Sequence, residues 1–183
     1  MDGGTSRPAS PVVRPCIFPS TTLLGSHAAE RAYFHDAYSV VLRRPEASVA
    51  DLFFAVFGHR PAWMKYLMIA RNKAASLCGI EAPSVAEILH PEIKPCYRVG
   101  EKIGAWPIFG LTDTELVAGR DNRHLDFRLS ILKATDGPAT QLVVSTVCFV
   151  HNRYGALYLS IIVPFHKWGV QRLMSNAVRA GRL

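Results

Sequence analysis

The sequence lacks the close pairs of cysteine and histidine that hold structural metal ions. Its four cysteines, Cys16, Cys78, Cys96 and Cys148, lie far apart, with no CxxC pair and no histidine at zinc-finger spacing, which argues against a zinc site. The chain also lacks a glycine-rich loop that opens a helix, the usual cradle for a phosphate group. We therefore expect free thiols, no metal and no cofactor.

Long apolar runs and a targeting segment are missing as well. The most apolar stretch, residues 154–164, is about half of the roughly 20 residues that span a bilayer, so we expect no transmembrane segment. Residues 1–20 are interrupted by four prolines and contain no apolar run of signal-peptide length. The sequence therefore predicts a cytoplasmic protein with a disordered N-terminal arm, residues 1–20, followed by a single domain, residues 21–183.

Acidic residues are absent from the end of the chain. Asp136 is the last of them, and five cations follow it: Arg153, Lys167, Arg172, Arg179 and Arg182. Nucleic-acid binders usually combine such cations with aromatic platforms or a recognisable motif, and the sequence has neither, so we expect no nucleic-acid partner. The remaining interpretations are a core helix with a solvated basic face, a homodimer, or weak contact with an anionic membrane surface.

The sequence does contain a clear succession of strand and helix patterns. Residues 32–43 alternate as a strand, Ser48 and Gly58 delimit a short helix, and residues 61–79 show a second helical pattern. Four strand patterns follow at residues 102–109, 114–119, 124–133 and 141–152. Their short, turn-rich connections predict an antiparallel meander.

Residues 153–183 predict a long C-terminal helix with a kink at Pro164. Its first half carries an apolar stripe, and Leu173, Met174 and Ala177 mark a rotated apolar face. The residues of the stripe are Tyr154, Leu157, Tyr158, Ile161, Phe165 and Trp168. This order of elements predicts an α+β helix-grip fold, in which a curved antiparallel sheet of about five strands wraps around the helix, with two short helices after the first strand. Such a plan encloses an apolar cavity between sheet and helix. We expect its wall to contain Trp106, Phe127, Val147, Phe149, Tyr158, Ile161, Phe165 and Trp168.

Candidate reactive residues are few. Strand alternation puts His124, Asp126 and Arg128 on one face, which points outward if the opposite, apolar face is buried. These residues then form an exposed ion-pair ladder, or His124 and Asp126 supply a general base and its orienting partner, or two metal ligands that need a third. His166, next to the predicted kink, is a further acid-base candidate at the border of the cavity.

Four segments carry a resemblance to a known family: FFAVFGHRPAWMKYLMIARN, VGEKIGAWPIF, ELVAGRDNRHLDFRLSI and NRYGALYLSIIVPFHKWGVQRLM. Together they resemble the bacterial domain of unknown function 2867, from about Phe34 to Ala177. The resemblance implies a fold similar to the START/Bet v 1-like (SRPBCC) superfamily. Members of that superfamily bind lipids, polyketides or other apolar molecules, and some catalyse cyclisation or hydrolysis.

Three functional hypotheses remain open at this point. The first is binding of a hydrophobic or amphipathic small molecule, lipid-like or polyketide-like, which Tyr158 or His166 orients in the cavity. The second is an enzyme of the same fold, a cyclase, isomerase or hydrolase, with His124, Asp126, Arg128 or His166 in acid-base roles. The third is a non-catalytic module that dimerises or contacts an anionic membrane surface.

Overall fold

The computed structural model describes residues 11–25, 27–59, 93–136 and 139–183. The first ten residues of the predicted arm, the second helix predicted over residues 61–79, and Cys78 lie outside these ranges. Within them, the chain forms three helices: α1 (Ala28–Arg31), α2 (Val49–Phe57) and α3 (Arg153–Arg179).

A seven-stranded antiparallel sheet forms the centre of the described structure. The strands are β1 (Arg14–Pro15), β2 (Phe34–Val41), β3 (Lys102–Ile103), β4 (Trp106–Leu111), β5 (Glu115–Asp121), β6 (Leu125–Asp136) and β7 (Ala139–Val150). Their spatial order is β1-β2-β7-β6-β5-β4-β3. The predicted α+β class and the antiparallel meander are confirmed, and β2 pairs with the last strand of the meander.

The prediction of about five strands was too low. The two extra strands, β1 and β3, are only two residues long, which is too short for alternation to reveal them. Gly104 adopts a positive φ of 58° between β3 and β4, where glycine has no steric cost, so the segment predicted as one strand turns back on itself. Residues 14–15, within the predicted arm, pair with Ser39 and Tyr38 of β2.

Helix α2 begins and ends where the sequence predicts. The Ser48 hydroxyl oxygen accepts a hydrogen bond from the backbone N–H of Asp51 at 3.1 Å, and Gly58 follows the last helical residue. The helix buries Leu52, Phe53 and Val56 against the sheet and α3. It therefore closes one end of the core.

The two faces of the sheet carry different neighbours. We call the face that packs against α2 and α3 the helix face; Tyr38, Val40, Leu129, Ile131 and Val144 point to it. On the opposite, outer face, Cys16 and Phe18 pack against a small apolar cluster. There the buried carboxylate of Glu115 accepts hydrogen bonds from Thr22, the backbone of Leu23, and Ser130. These contacts hold residues 16–23 against the outer face.

Helix α3 packs through the rotated apolar face predicted at Leu173, Met174 and Ala177, and not through the predicted stripe. Its buried side chains are Leu159, Val170, Leu173, Met174, Ala177 and Val178, whereas the predicted stripe is exposed at Tyr154, Leu157, Ile161, Phe165 and Trp168. The helix carries two apolar stripes on opposite sides, and the one made mainly of smaller aliphatic side chains fits the space above the sheet. Among the described residues, no helix has the length and apolarity needed to cross a bilayer.

Candidate functional site

Polar side chains gather on the helix face of the sheet, beneath the first half of α3. Asp36 lies on β2 between Phe34 and Tyr38, so its side chain shares the face of two aromatic neighbours. Thr146 of β7 stands directly opposite Asp36 in the strand register, and His166 reaches down from α3. We call Asp36, Tyr38, Thr146, Cys148 and His166 the buried polar cluster.

A carboxylate and an imidazole form the centre of this cluster. Asp36 Oδ1 lies 3.4 Å from His166 Nε2, and the side chains are 8% and 24% exposed. The imidazole ring meets the ring of Phe34 edge-on, with centroids 5.7 Å apart. His166 Nδ1 has no hydrogen-bond partner in the described parts of the chain. One nitrogen is therefore held by Asp36, and the other is available to a bound molecule.

Two buried oxygen atoms of the cluster have no hydrogen-bond partner among the described residues. They are Asp36 Oδ2 and Thr146 Oγ1. Residues directly opposite in an antiparallel pair have Cβ atoms about 5 Å apart, so these two oxygens belong to one small region. An unpartnered buried polar atom costs about 1–3 kcal/mol, which makes this region a place where a bound hydrogen-bonding group would add stability.

The negative charge of Asp36 also acts on its neighbours. Burial, and secondarily the Asp36 carboxylate, raise the pKa of the Cys148 thiol to about 12. The same two causes raise the pKa of Tyr38; a hydrogen bond with Gln171 of α3 offsets part of this rise, and a hydrogen bond with Asp36 adds to it. At neutral pH both side chains are therefore neutral, and Cys148 is not a nucleophile.

Apolar side chains surround the buried polar cluster. Leu125, Cys148 and Leu159 are buried together, and the partly buried side chains of Phe34, Phe127, Val150, Tyr158 and Val163 pack against them. The polar atoms thus lie in surroundings of low polarity, where a hydrogen bond or an ion pair is stronger than in water. A molecule that bound here would meet apolar walls and a polar floor.

The predicted dyad of His124 and Asp126 is not brought together. His124 Nδ1 lies 3.1 Å from Asn152 Oδ1, which also caps the start of α3, whereas Asp126 Oδ2 lies 3.0 Å from His151 Nε2. The contacts join the β5–β6 turn to the β7–α3 connection. They are the contacts of a structural junction between elements.

Arg128 also makes structural contacts on the outer face, as the strand alternation predicts. Its guanidinium group pairs with Asp121 and lies 3.5 Å from the ring centroid of Phe109. No group of three or more potential metal ligands occurs in the ranges that the structure covers. Of the four candidate catalytic residues, His166 is the one that lies in the buried polar cluster.

The predicted wall residues are divided among three locations. Trp106 and Phe127 point to the helix face, where their rings meet edge-on with centroids 5.7 Å apart, and Tyr158 packs nearby. Val147 and Phe149 point to the outer face, contrary to the prediction, because β7 pairs with β6 in the register that turns Thr146, Cys148 and Val150 inward. Ile161, Phe165 and Trp168 lie on the exposed side of α3.

Asp36, Tyr38 and Thr146 were not among the site residues predicted from the sequence. A signal was present for Asp36, because a carboxylate stood at an inward position of a strand whose other inward positions are Phe34, Tyr38 and Val40. Its partner His166 is 130 residues away in the chain. Proximity between them depends on the packing of α3, which no local pattern reports.

Comparison with known proteins identifies the family. Residues 28–173 match the family described as protein of unknown function (DUF2867). Because this match covers most of the chain, the protein belongs to that family, as the resemblance predicted. No curated protein and no solved structure matches the chain.

Proposed function

We propose that the protein binds an amphipathic small molecule between the helix face of the sheet and the first half of α3. The observation that carries this proposal is the pair of buried, unpartnered oxygens at Asp36 and Thr146. Ionised Asp36 only accepts hydrogen bonds, whereas the Thr146 hydroxyl can donate one. A hydroxyl group on the ligand satisfies both, because it donates to the carboxylate and accepts from the threonine.

The surroundings favour an apolar body for this ligand. Phe34, Phe127, Tyr158 and Val163 provide aromatic and aliphatic surface next to the polar atoms. An antiparallel sheet with a long C-terminal helix is also the plan of the helix-grip fold, and we propose that the protein is a START/Bet v 1-like member of that class. The ligand is then a lipid-like or polyketide-like alcohol.

Binding is tested first by native mass spectrometry of the gently purified protein, and then with fluorescently labelled dodecanol and dodecanoic acid. We expect the alcohol to bind more tightly, because the Asp36 carboxylate repels the anion of the acid. Equal affinity for the two probes contradicts the assignment of Asp36. Absence of a copurified molecule together with no uptake of either probe contradicts the proposal as a whole.

Two neighbouring strand residues provide a matched pair of variants. Thr146 and Ser145 are both buried on β7, and neither hydroxyl has a hydrogen-bond partner among the described residues, but the two side chains point to opposite faces of the sheet. We expect Thr146→Val to weaken dodecanol binding about tenfold, the value of one hydrogen bond of about 1.4 kcal/mol. Ser145→Ala is expected to leave it unchanged, and an equal effect of both variants places the ligand elsewhere.

A second candidate function is an enzyme that moves a proton, which the Asp36–His166 pair favours. In this mechanism His166 Nδ1 takes a proton from the bound molecule, while Nε2–H donates a hydrogen bond to Asp36 Oδ1. The carboxylate stabilises the imidazolium that forms, and the proton returns to the product from the same nitrogen. Such a cycle is a proton transfer within the ligand, as in an isomerase.

This second function is tested by comparing the molecules that copurify with the native protein and with His166→Ala. An enzyme is expected to hold product or a mixture in the native protein and unreacted substrate in the variant. Isomers have the same mass, so the comparison uses chromatographic retention and fragmentation. The same compound in both proteins supports binding alone and contradicts catalysis through His166.

A further inference from the structure

The side of α3 that faces away from the sheet carries a continuous apolar stripe. Tyr154, Leu157, Ile161, Phe165 and Trp168 are each more than half exposed and are spaced three or four residues apart, so they fall on one face of the helix. The stripe is about 21 Å long at 1.5 Å per residue. A contiguous exposed patch of large aromatic and aliphatic side chains is typical of an interaction surface.

The charged residues of α3 all have the same sign. Arg172 is exposed and continues the line of the stripe by one further turn, and Arg153 is exposed in the first turn of the helix. Lys167 is also exposed, but its ammonium group lies towards the sheet, 5.6 Å from the ring centroid of Phe34. Helix α3 contains no acidic residue. The surface therefore combines an apolar strip with a positive margin, as in helices that lie in the headgroup region of a bilayer.

We propose that this face of α3 docks on an anionic lipid bilayer, with its stripe in the interface and its cations among the headgroups. Charge complementarity favours this occupant over a second copy of the chain. A symmetric dimer presents the same patch on both subunits, which brings two sets of cations together without an acidic counterpart on α3. Tyr154 and Trp168 lie at the ends of the stripe, and such side chains favour the membrane interface.

The orientation of the helix also separates this surface from the buried polar cluster. His166 points towards Asp36 on the inner side of α3, whereas Phe165 and Ile161 point outward. Docking therefore does not depend on the proposed function and leaves His166 covered. It places the first half of α3, which is the roof of the proposed ligand site, next to the lipid.

The experiment is co-sedimentation of the full chain with vesicles of phosphatidylcholine alone or with one quarter phosphatidylglycerol. We expect binding to the anionic vesicles at low salt, at least tenfold weaker binding to the neutral vesicles, and a marked loss in high salt because the charges are screened. Absence of binding to anionic vesicles at low salt overturns the proposal. Equal binding to both vesicles overturns it as well.

A matched pair of variants tests the surface itself. Ile161→Asp lies on the stripe, and Ile17→Asp makes the same change at an isoleucine that is 93% exposed on the N-terminal segment. We expect Ile161→Asp to weaken vesicle binding at least tenfold and Ile17→Asp to have little effect. Equal effects of the two variants contradict the assignment of the surface to α3.

Two further measurements distinguish a lipid bilayer from the two other possible occupants of this face, which are another part of the same chain and a second copy of the protein. Thermal unfolding of Ile161→Asp is expected at a midpoint no more than about 6 °C below that of Ile17→Asp, because loss of the partly covered side chain and an aspartate within a helix cost about 1–2 kcal/mol. A much lower midpoint means that another part of the chain covers the stripe, which overturns the proposal. Light scattering over a range of protein concentrations is expected to show no dimer through this face. A dimer that Ile161→Asp dissociates, without vesicle binding by the native protein, also overturns it.

Discussion

The rotation of α3 about its own axis can be tested with two alanine substitutions that lie two residues apart. Leu159 is 4% exposed and packs against Leu125 and Cys148, whereas Ile161 is 59% exposed on the other side of the helix. Leu159→Ala and Ile161→Ala remove side chains of similar size from the same helix. They differ in what those side chains contact.

The expected losses of unfolding free energy follow from how much of each side chain is buried. Leu159→Ala removes three buried carbon atoms, worth about 2.4 kcal/mol at about 0.8 kcal/mol each, and the cavity left behind increases the loss to about 3 kcal/mol. Ile161 has about two-fifths of its surface covered, so its truncation costs about 1 kcal/mol. The better helix propensity of alanine offsets about 0.4 kcal/mol of this loss, which leaves a net loss of about 0.6 kcal/mol.

Urea unfolding followed by circular dichroism measures both values. We expect Leu159→Ala to lower the urea concentration at the midpoint strongly, without changing how steeply the free energy of unfolding depends on urea. Ile161→Ala is expected to leave the midpoint close to that of the native protein. Similar losses for both variants refute the orientation of α3 described here. A larger loss for Ile161→Ala means that the exposed stripe is the packed one, as the sequence pattern alone predicted.

Three further predictions concern the start of α3 and the buried thiol. Asn152→Ala removes the side-chain oxygen that accepts the first N–H groups of α3 and is expected to lower the free energy of unfolding by about 1 kcal/mol, measured by urea titration. In the same assay, Gly155→Ala is expected to destabilise by about 1–3 kcal/mol, since its Cβ would lie 2.2 Å from the carbonyl oxygen of His124; increased stability, as helix propensity alone predicts, contradicts this contact. The Cys148 thiol has its pKa raised from 9.0 to about 12, so above about pH 9 the unfolded chain releases a proton that the folded chain keeps, and stability falls as the pH rises towards 12. Cys148→Ala is expected to make that fall shallower, and an unchanged pH profile contradicts the assignment.

The sequence predicted those elements whose signals are local. Ser48 and Gly58 mark the ends of α2 because capping depends on the first and last turns alone. The meander was predictable because its turns are short and polar, as at Asp121, the last residue of β5, and Asn122, which follows it before β6. Both features are specified by neighbouring residues.

The predicted orientation of a strand or helix was wrong where both of its faces are apolar. Val147 and Cys148 are both buried, since residues on each side of the sheet cover β7, so alternation does not show which side chain points to the helix. The same ambiguity affects α3, whose two opposite stripes satisfy the helical period equally well. The choice between them depends on shape complementarity with the sheet and α2.

Pairing between β2 and β7 has a consequence for how the chain folds. The long hairpin of β6 and β7 joins neighbours in sequence, whereas β2 pairs Phe34 with Cys148 near the other end of the chain. Closing so long a loop is slow compared with hairpin formation, and until it closes, the edge of β7 offers unpaired backbone groups to other chains. Asp36 arrives with β2, so the chain gains its buried carboxylate only in the step that also protects it from aggregation.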